Sequence, residues 1–240
     1  MIVKKFLINY AHLRFYESQK KNAASGLEVG GFDHVISYGV KDLDDSFQKR
    51  NRNILQQELG AGYWLWKPYL VCKTLEKMDY GDWLFYCDSG AIFLRSMDIL
   101  IRYCHEKDGD LLLFQLFHEF TQKNWTKRDC FYYMEADLSE MLDLPQILGG
   151  FILCRKTDFT MNFFSQWLHY CQDARILTDA PNVCGLENYE GFVEHRHDQS
   201  VLSLLGYMYG TVLLQDISQW GNSFRTKSIP QIIESTRDPN

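Results

Sequence analysis

Trp83-Leu84-Phe85-Tyr86-Cys87 is a run of large apolar and aromatic side chains that stops at Asp88-Ser89-Gly90. The run reads as a buried strand that delivers a carboxylate to the carboxyl edge of a sheet. Ser89 and Gly90 then let the chain turn and bring its backbone close to a ligand. In open α/β sheets ligands bind at that edge. A carboxylate there can hold a divalent cation, which in turn can hold a diphosphate. The plainer alternative is a strand ending in an Asx-type turn.

The flanking pattern is that of a single α/β domain. Strands are expected at 5–10, 34–38, 83–87, 110–116, 147–154 and 211–215. Helices are expected at 15–27, 46–59, 68–78, 96–105, 159–171 and 199–209. Strands alternate with helices in the first half, which argues a mostly parallel central sheet. Residues 117–144 are polar, aromatic and irregular, with one short helix near 135–142. Residues 172–196 form a long loop leading into the last helix. Loops of this length in a compact domain are functional or disordered, and their aromatic content argues for function. The expected organisation is a domain over 1–222, with halves at 1–116 and 117–222, and a loosely attached polar tail over 223–240.

Composition narrows the partners. The 240 residues suit one large domain, and 46% hydrophobic content supports a full core. A net charge of −6 with no long basic run excludes duplex nucleic acid as the expected partner. Any phosphate must be met by a local site. No stretch approaches the roughly 18 apolar residues of a membrane span, and the first residues lack a signal-peptide pattern. The seven cysteines are scattered with no C-x-x-C pair. They read as buried thiols in a reducing compartment, so the expected location is the cytoplasm.

Three further segments carry chemistry. Glu194-His195-Arg196-His197-Asp198-Gln199-Ser200 gathers two imidazoles, a carboxylate and an amide where a loop enters a helix. His197 could ligate a metal; Asp198 could instead be a simple N-cap, with solvated histidines before it. Gly60-Ala61-Gly62-Tyr63-Trp64-Leu65-Trp66-Lys67-Pro68 sets Lys67 near a helix start, where a phosphate could meet it. The tryptophans also suit core anchors. Gly149-Gly150 in an apolar strand lets a ligand lie on bare backbone, or marks a β-bulge.

In order and spacing these segments resemble the GT-A fold glycosyltransferases that use nucleotide sugars. The late segment is similar to the His-Asp-Glu-Ser of blood-group-type α-galactosyl and N-acetylgalactosaminyl transferases. It is also similar to the His-Asp-Gln of yeast and plant α-galactosyl, mannosyl and xylosyl transferases. The Gly-Tyr-Trp-Leu-Trp-Lys-Pro run resembles one in bacterial and viral sugar-transferase-like proteins. The resemblance spans about residues 3 to 222. In that superfamily an Asp-x-Asp motif holds Mn²⁺ or Mg²⁺; here Asp88 matches the first acid and Gly90 stands at the second.

The resemblance implies transfer of a sugar from a nucleoside-diphosphate sugar to a glycan or lipid-linked acceptor, in surface polysaccharide or glycoconjugate synthesis. A lipid-linked acceptor would bring the chain to the inner face of a membrane by peripheral association. Asn9 and Tyr10 would lie near the base or ribose. Lys67, Asp88, Ser89, Gly149 and Gly150 would bind the rest of the nucleotide sugar. Asp88 and His197 would hold Mn²⁺ or Mg²⁺, or, with Gly90 at the second acid, the reaction would run without metal; Asp198 and Gln199 would face the reacting sugar. An amide does not titrate usefully, so Gln199 is no general base; inversion would need a base elsewhere, such as Asp198, and otherwise the reaction retains configuration, as the resemblance implies. The rival readings are a metal-dependent phosphoesterase built on Asp88, His195, His197 and Asp198, and a non-catalytic carbohydrate-binding module.

Overall fold

The computed structural model describes residues 2–12, 15–218 and 229–236. Its strands are β1 (Lys5–Tyr10), β2 (His34–Tyr38), β3 (Trp83–Cys87), β4 (Ala91–Phe93), β5 (Leu111–Gln115), β6 (Ile147–Arg155), β7 (Val212–Gln215) and β8 (Ile233–Ser235). Six of them build one sheet in the order β2-β1-β3-β6-β5-β7. Five run the same way and β6 alone runs against them. The expected mostly parallel α/β sheet is therefore present, with an antiparallel strand at its centre. That one reversal matters most for the site. It brings the start of β6, with Gly149 and Gly150, beside the end of β3, where Cys87 is in register with Phe151.

Side chains of β3 alternate between two apolar layers, as the pleat requires. Leu84 and Tyr86 join one, and Trp83, Phe85 and Cys87 the other. The first layer is covered by α5 (Trp66–Lys77), α10 (Asp158–Cys171) and α12 (Asp198–Met208). In α10, Phe163, Phe164, Trp167 and Cys171 are fully buried. Each large side chain so placed contributes about 1.5–3 kcal/mol. Thr157 caps this helix, its hydroxyl accepting from the Thr160 N–H. The second layer is covered by α6 (Asp98–Glu106) and the β4–β8 ribbon, while α1 (Tyr16–Ser25) packs on β4 and β1.

Several expectations need correction. The single helix over 46–59 is two short helices, α2 (Asp45–Arg50) and α3 (Arg52–Leu55), which break at Asn51. The Asn51 amide donates back to the Phe47 carbonyl at 3.0 Å, the local competition that disfavours this residue inside helices. A short turn, α4 (Gly60–Tyr63), precedes α5. Residues 117–144 hold three helices, α7 (Gln122–Trp125), α8 (Arg128–Tyr133) and α9 (Ser139–Leu142), instead of one. The loop over 172–196 contains α11 (Ala174–Leu177). The proposed halves share one sheet, since β6 lies between β3 and β5. The described part of the tail is not loose: β8 pairs with β4, and Ile232 and Ile233 are fully buried. Residues 223–228 and 237–240 of that tail lie outside the described residues.

Candidate functional site

Three elements converge on one ammonium at the carboxyl edge of the sheet. Lys67, in the first turn of α5, places Nζ 2.8 Å from Asp198 Oδ2 and 3.9 Å from Asp88 Oδ1. It also donates to the Gly149 carbonyl at 3.0 Å. Asp88 and Asp198, distant in sequence, thus meet across a single cation. Lys67 and Asp198 side chains are each 4% exposed, whereas Asp88 is 51% exposed. The sequence reading gives Lys67 to a diphosphate, but its ammonium is enclosed and already shared by two carboxylates and a carbonyl. It organises the site from behind.

The electrostatics follow from that enclosure. Burial pushes the Asp198 carboxyl up to about 6, against the pull of Lys67. Burial also works against the Lys67 ammonium, but Asp198 and Asp88 outweigh it and raise its pKa. One positive charge faces two carboxylates, so the rim at Asp88 stays negative.

Asp88 itself is stitched on both sides. Its N–H donates to the Gly150 carbonyl at 2.9 Å. The Tyr86 hydroxyl donates to its Oδ1 at 2.5 Å. Ser89 Oγ donates to the Tyr10 carbonyl at 2.6 Å, tying the ends of β3 and β1 together. A Cβ at Gly150 would lie 3.0 Å from Asp88 Oδ2, which explains a glycine on this strand. Gln199 accepts from the Gly149 N–H at 3.1 Å and donates to Gln146 Oε1 at 3.2 Å. Its amide bridges α12 to β6. The sequence reading gave Tyr86 and Gln146 no functional role; nothing in a buried strand pattern marks a tyrosine hydroxyl as a carboxylate partner.

The histidines are turned elsewhere. His195 is buried between the Ile176 carbonyl (2.9 Å) and the Lys127 N–H (3.3 Å), and burial holds its pKa well below the usual range. His197 Nε2 pairs with Asp179 at 3.0 Å, and burial lowers its pKa despite that partner. Asp198 is the first helical residue and His197 the cap position, with φ 53° and ψ −120°. That backbone is strained for a residue with a Cβ, and such strain clusters at functional sites. Asn9 is buried and donates to Asn22 Oδ1 at 2.7 Å. Tyr10 stacks on Trp66 with ring centroids 3.9 Å apart, and burial raises its hydroxyl to about 12.

Beside this cluster lies a cleft of about 930 Å³, lined by Tyr10, His12, Trp64, Asp88, Ser89, Gly150 and others. One wall is a left-handed turn. Gly60, Ala61, Gly62, Tyr63 and Trp64 have φ of 60°, 51°, 95°, 52° and 58°. Each non-glycine in that conformation costs about 1–2 kcal/mol. The sequence marked this segment by its glycines; its handedness is carried equally by Ala61, Tyr63 and Trp64. The Tyr63 and Trp64 rings pack against His197, at 4.9 and 5.5 Å. Two strained segments therefore support each other at the cleft.

The loop over 172–196 is pinned down. The buried Asp129 carboxylate accepts from the N–H groups of Val183 and Cys184, and Val193 N–H donates to the Asn124 carbonyl.

A divalent cation finds one exposed carboxylate here. Gly90 supplies no donor side chain, and the His197 ring is engaged by Asp179. Among the described residues no three His, Cys, Asp or Glu side chains converge. Asp88 and the uncompensated charge at its rim fit a cation whose remaining shell comes from diphosphate oxygens and water. A two-metal phosphoesterase on Asp88, His195, His197 and Asp198 does not fit these ring orientations.

No family model matches the chain, and no curated protein matches it by sequence. Solved structures do match. Apo mouse xyloside xylosyltransferase 1 is similar with a TM-score of 0.50 and 10% identity, over 97% of this chain and 97% of that one. At that identity the likeness is one of fold. The chain shares with that structure a mixed α/β, Rossmann-like fold around a six-stranded, mostly parallel sheet. Among the described residues no helix is long and apolar enough to cross a membrane.

Proposed function

We propose that this protein is a glycosyltransferase that moves a sugar from a nucleoside-diphosphate sugar to a hydroxyl of a glycan or lipid-linked acceptor, in surface polysaccharide or glycoconjugate synthesis. The observation that carries the reading is the meeting of Asp88, Asp198 and Gly149 on Lys67 beside a roomy cleft at the sheet's carboxyl edge. The nucleoside would lie toward the end of β1, against Tyr10, His12 and Phe15. The diphosphate would lie at Asp88. A Mn²⁺ or Mg²⁺ ion held by Asp88 would supply neutralisation of the leaving diphosphate.

In the reaction the bond from the anomeric carbon to the phosphate oxygen breaks, with its electrons going to phosphate. A bond to the acceptor oxygen forms, and the acceptor proton leaves. Asp198 is enclosed by Lys67, and Gln199 holds Gly149, so neither is free as a base. The departing phosphate oxygens then take the proton, which favours retention. Lys67 and Gln199 hold the backbone of β6 in place beneath the sugar, and so act by positioning.

The test is a screen of nucleotide sugars, with xylose donors included because of the structural neighbour, with and without Mn²⁺. The expected result is transfer or donor hydrolysis with one donor, lost in Asp88→Asn with the melting temperature kept. No turnover with any donor, or full activity in Asp88→Asn, would sink the proposal.

A further inference from the structure

We infer that Trp64, Gly60 and Glu58 form a platform for a pyranose ring, and that the saccharide held there is the acceptor. The inference rests on the transferase reading for the word acceptor; the platform itself rests on the cleft.

Trp64 is half-buried and lines the cleft together with Glu58, Leu59 and Gly60. The left-handed turn brings its indole close against Gly60: a Cβ there would lie 2.4 Å from the indole Cδ2. His197 packs on it at 5.5 Å, which fixes its orientation. The neighbouring Trp66 and Tyr10 are only 5% and 6% exposed and are stacked on each other. Both border the cleft, but each covers a face of the other; the Trp64 indole is the less buried of the three rings and is not stacked on either.

Topology places it on the acceptor side. His197 leads into Asp198, which meets Lys67 beside β6, across Asp88 from β1. A nucleoside at the β1 end and a ring on Trp64 would therefore flank Asp88. A cleft of about 930 Å³ is at the upper end for one small ligand.

The chemistry favours a neutral sugar. A pyranose offers C–H groups on its ring face and hydroxyls at its edge. The indole meets the first, and the exposed Glu58 carboxylate accepts from the second. A phosphate would be repelled by Glu58.

The experiment is saturation-transfer NMR with methyl glycosides of glucose, galactose, mannose and xylose, alongside calorimetric titration of UDP and GDP. Wild type, Trp64→Ala, Trp64→Phe and Glu58→Gln are compared, with folding checked by circular dichroism. The expected result is transfer concentrated on the C–H protons of one ring face. Affinity should fall about tenfold in Trp64→Ala and less in Trp64→Phe and Glu58→Gln, with nucleotide affinity held within about twofold. Should Trp64→Ala fail to fold, the other two variants carry the comparison. No glycoside bound by wild type, or one bound equally well by folded Trp64 and Glu58 variants, overturns the platform. Trp64-dependent glycoside binding without any nucleotide binding supports the platform and removes the transferase reading.

Discussion

Replacing Lys67 with methionine keeps the side chain's bulk against the Trp66 and Tyr86 rings and removes its charge. Three partners are affected: Asp198 at 2.8 Å, the Gly149 carbonyl at 3.0 Å and Asp88 at 3.9 Å. Lost hydrogen bonds to a charged group cost about 1.5–3 kcal/mol at any pH. A second loss depends on pH. With Lys67 present Asp198 ionises near 6, above its unfolded value of 3.8. Its contribution to stability is full below about pH 4 and falls as pH rises through 6. Without the ammonium it stays protonated to higher pH, and the variant forgoes what wild type gains by ionising there. From pH 6 to 7.5 that is 1.5 units at about 1.36 kcal/mol each, or about 2 kcal/mol.

The variant should therefore be less stable by about 1.5–3 kcal/mol at pH 5, from the hydrogen bonds alone. At pH 7.5 the loss should reach about 3–5 kcal/mol, in the range for breaking a buried ion pair. Urea unfolding of both proteins at the two pH values measures this. Adding Asp198→Asn to Lys67→Met should remove the pH-dependent part. A loss equal at both pH values, or below about 1 kcal/mol at pH 7.5, would refute the coupling of these two groups.

Gly62→Ala puts a Cβ 2.6 Å from the Leu55 Cα at φ +95°; a loss of about 2 kcal/mol or more in thermal denaturation is expected, and an unchanged melt would contradict the left-handed turn. Asp129→Asn weakens the acceptor of the Val183 and Cys184 N–H groups. Amide exchange at these two positions should quicken about tenfold, and unchanged protection would mean that the loop is held by other contacts.

The central strand β3 was legible because burial on both faces leaves an unbroken apolar run; β1 and β2 were legible as short apolar stretches bounded by polar, helix-like segments. The expected 5–10, 34–38 and 83–87 agree with the observed bounds. What a run cannot carry is direction. Ile147 to Arg155 reads the same whether it lies parallel or antiparallel, so the reversal of β6 was invisible. The glycines at 60, 62, 149 and 150 announced close backbone geometry, but left-handed Ala61, Tyr63 and Trp64 carry no such mark. A lysine after an aromatic turn reads as solvated or phosphate-bound; its burial depends on two carboxylates brought from distant segments. His197 looked like a ligand because the sequence does not show Asp179 across from it. Ile232 and Ile233 were too few apolar residues to stand out in a polar tail, yet they suffice to pin a short ribbon.

The position of β6 also constrains how the chain is made. During synthesis β1, β2, β3 and β5 leave the ribosome before it, yet β3 and β5 have no contact in the sheet until β6 arrives between them. A nascent chain ending near residue 116 would hold one three-stranded fragment, β2-β1-β3, with an unpaired edge at β3, and β5 as a strand with no partner at all. The most exposed interval for misassociation is thus the time taken to translate residues 117–155, some two to eight seconds at about 5–20 residues per second. Slowing translation within that window should lower the soluble yield more than slowing it after residue 155.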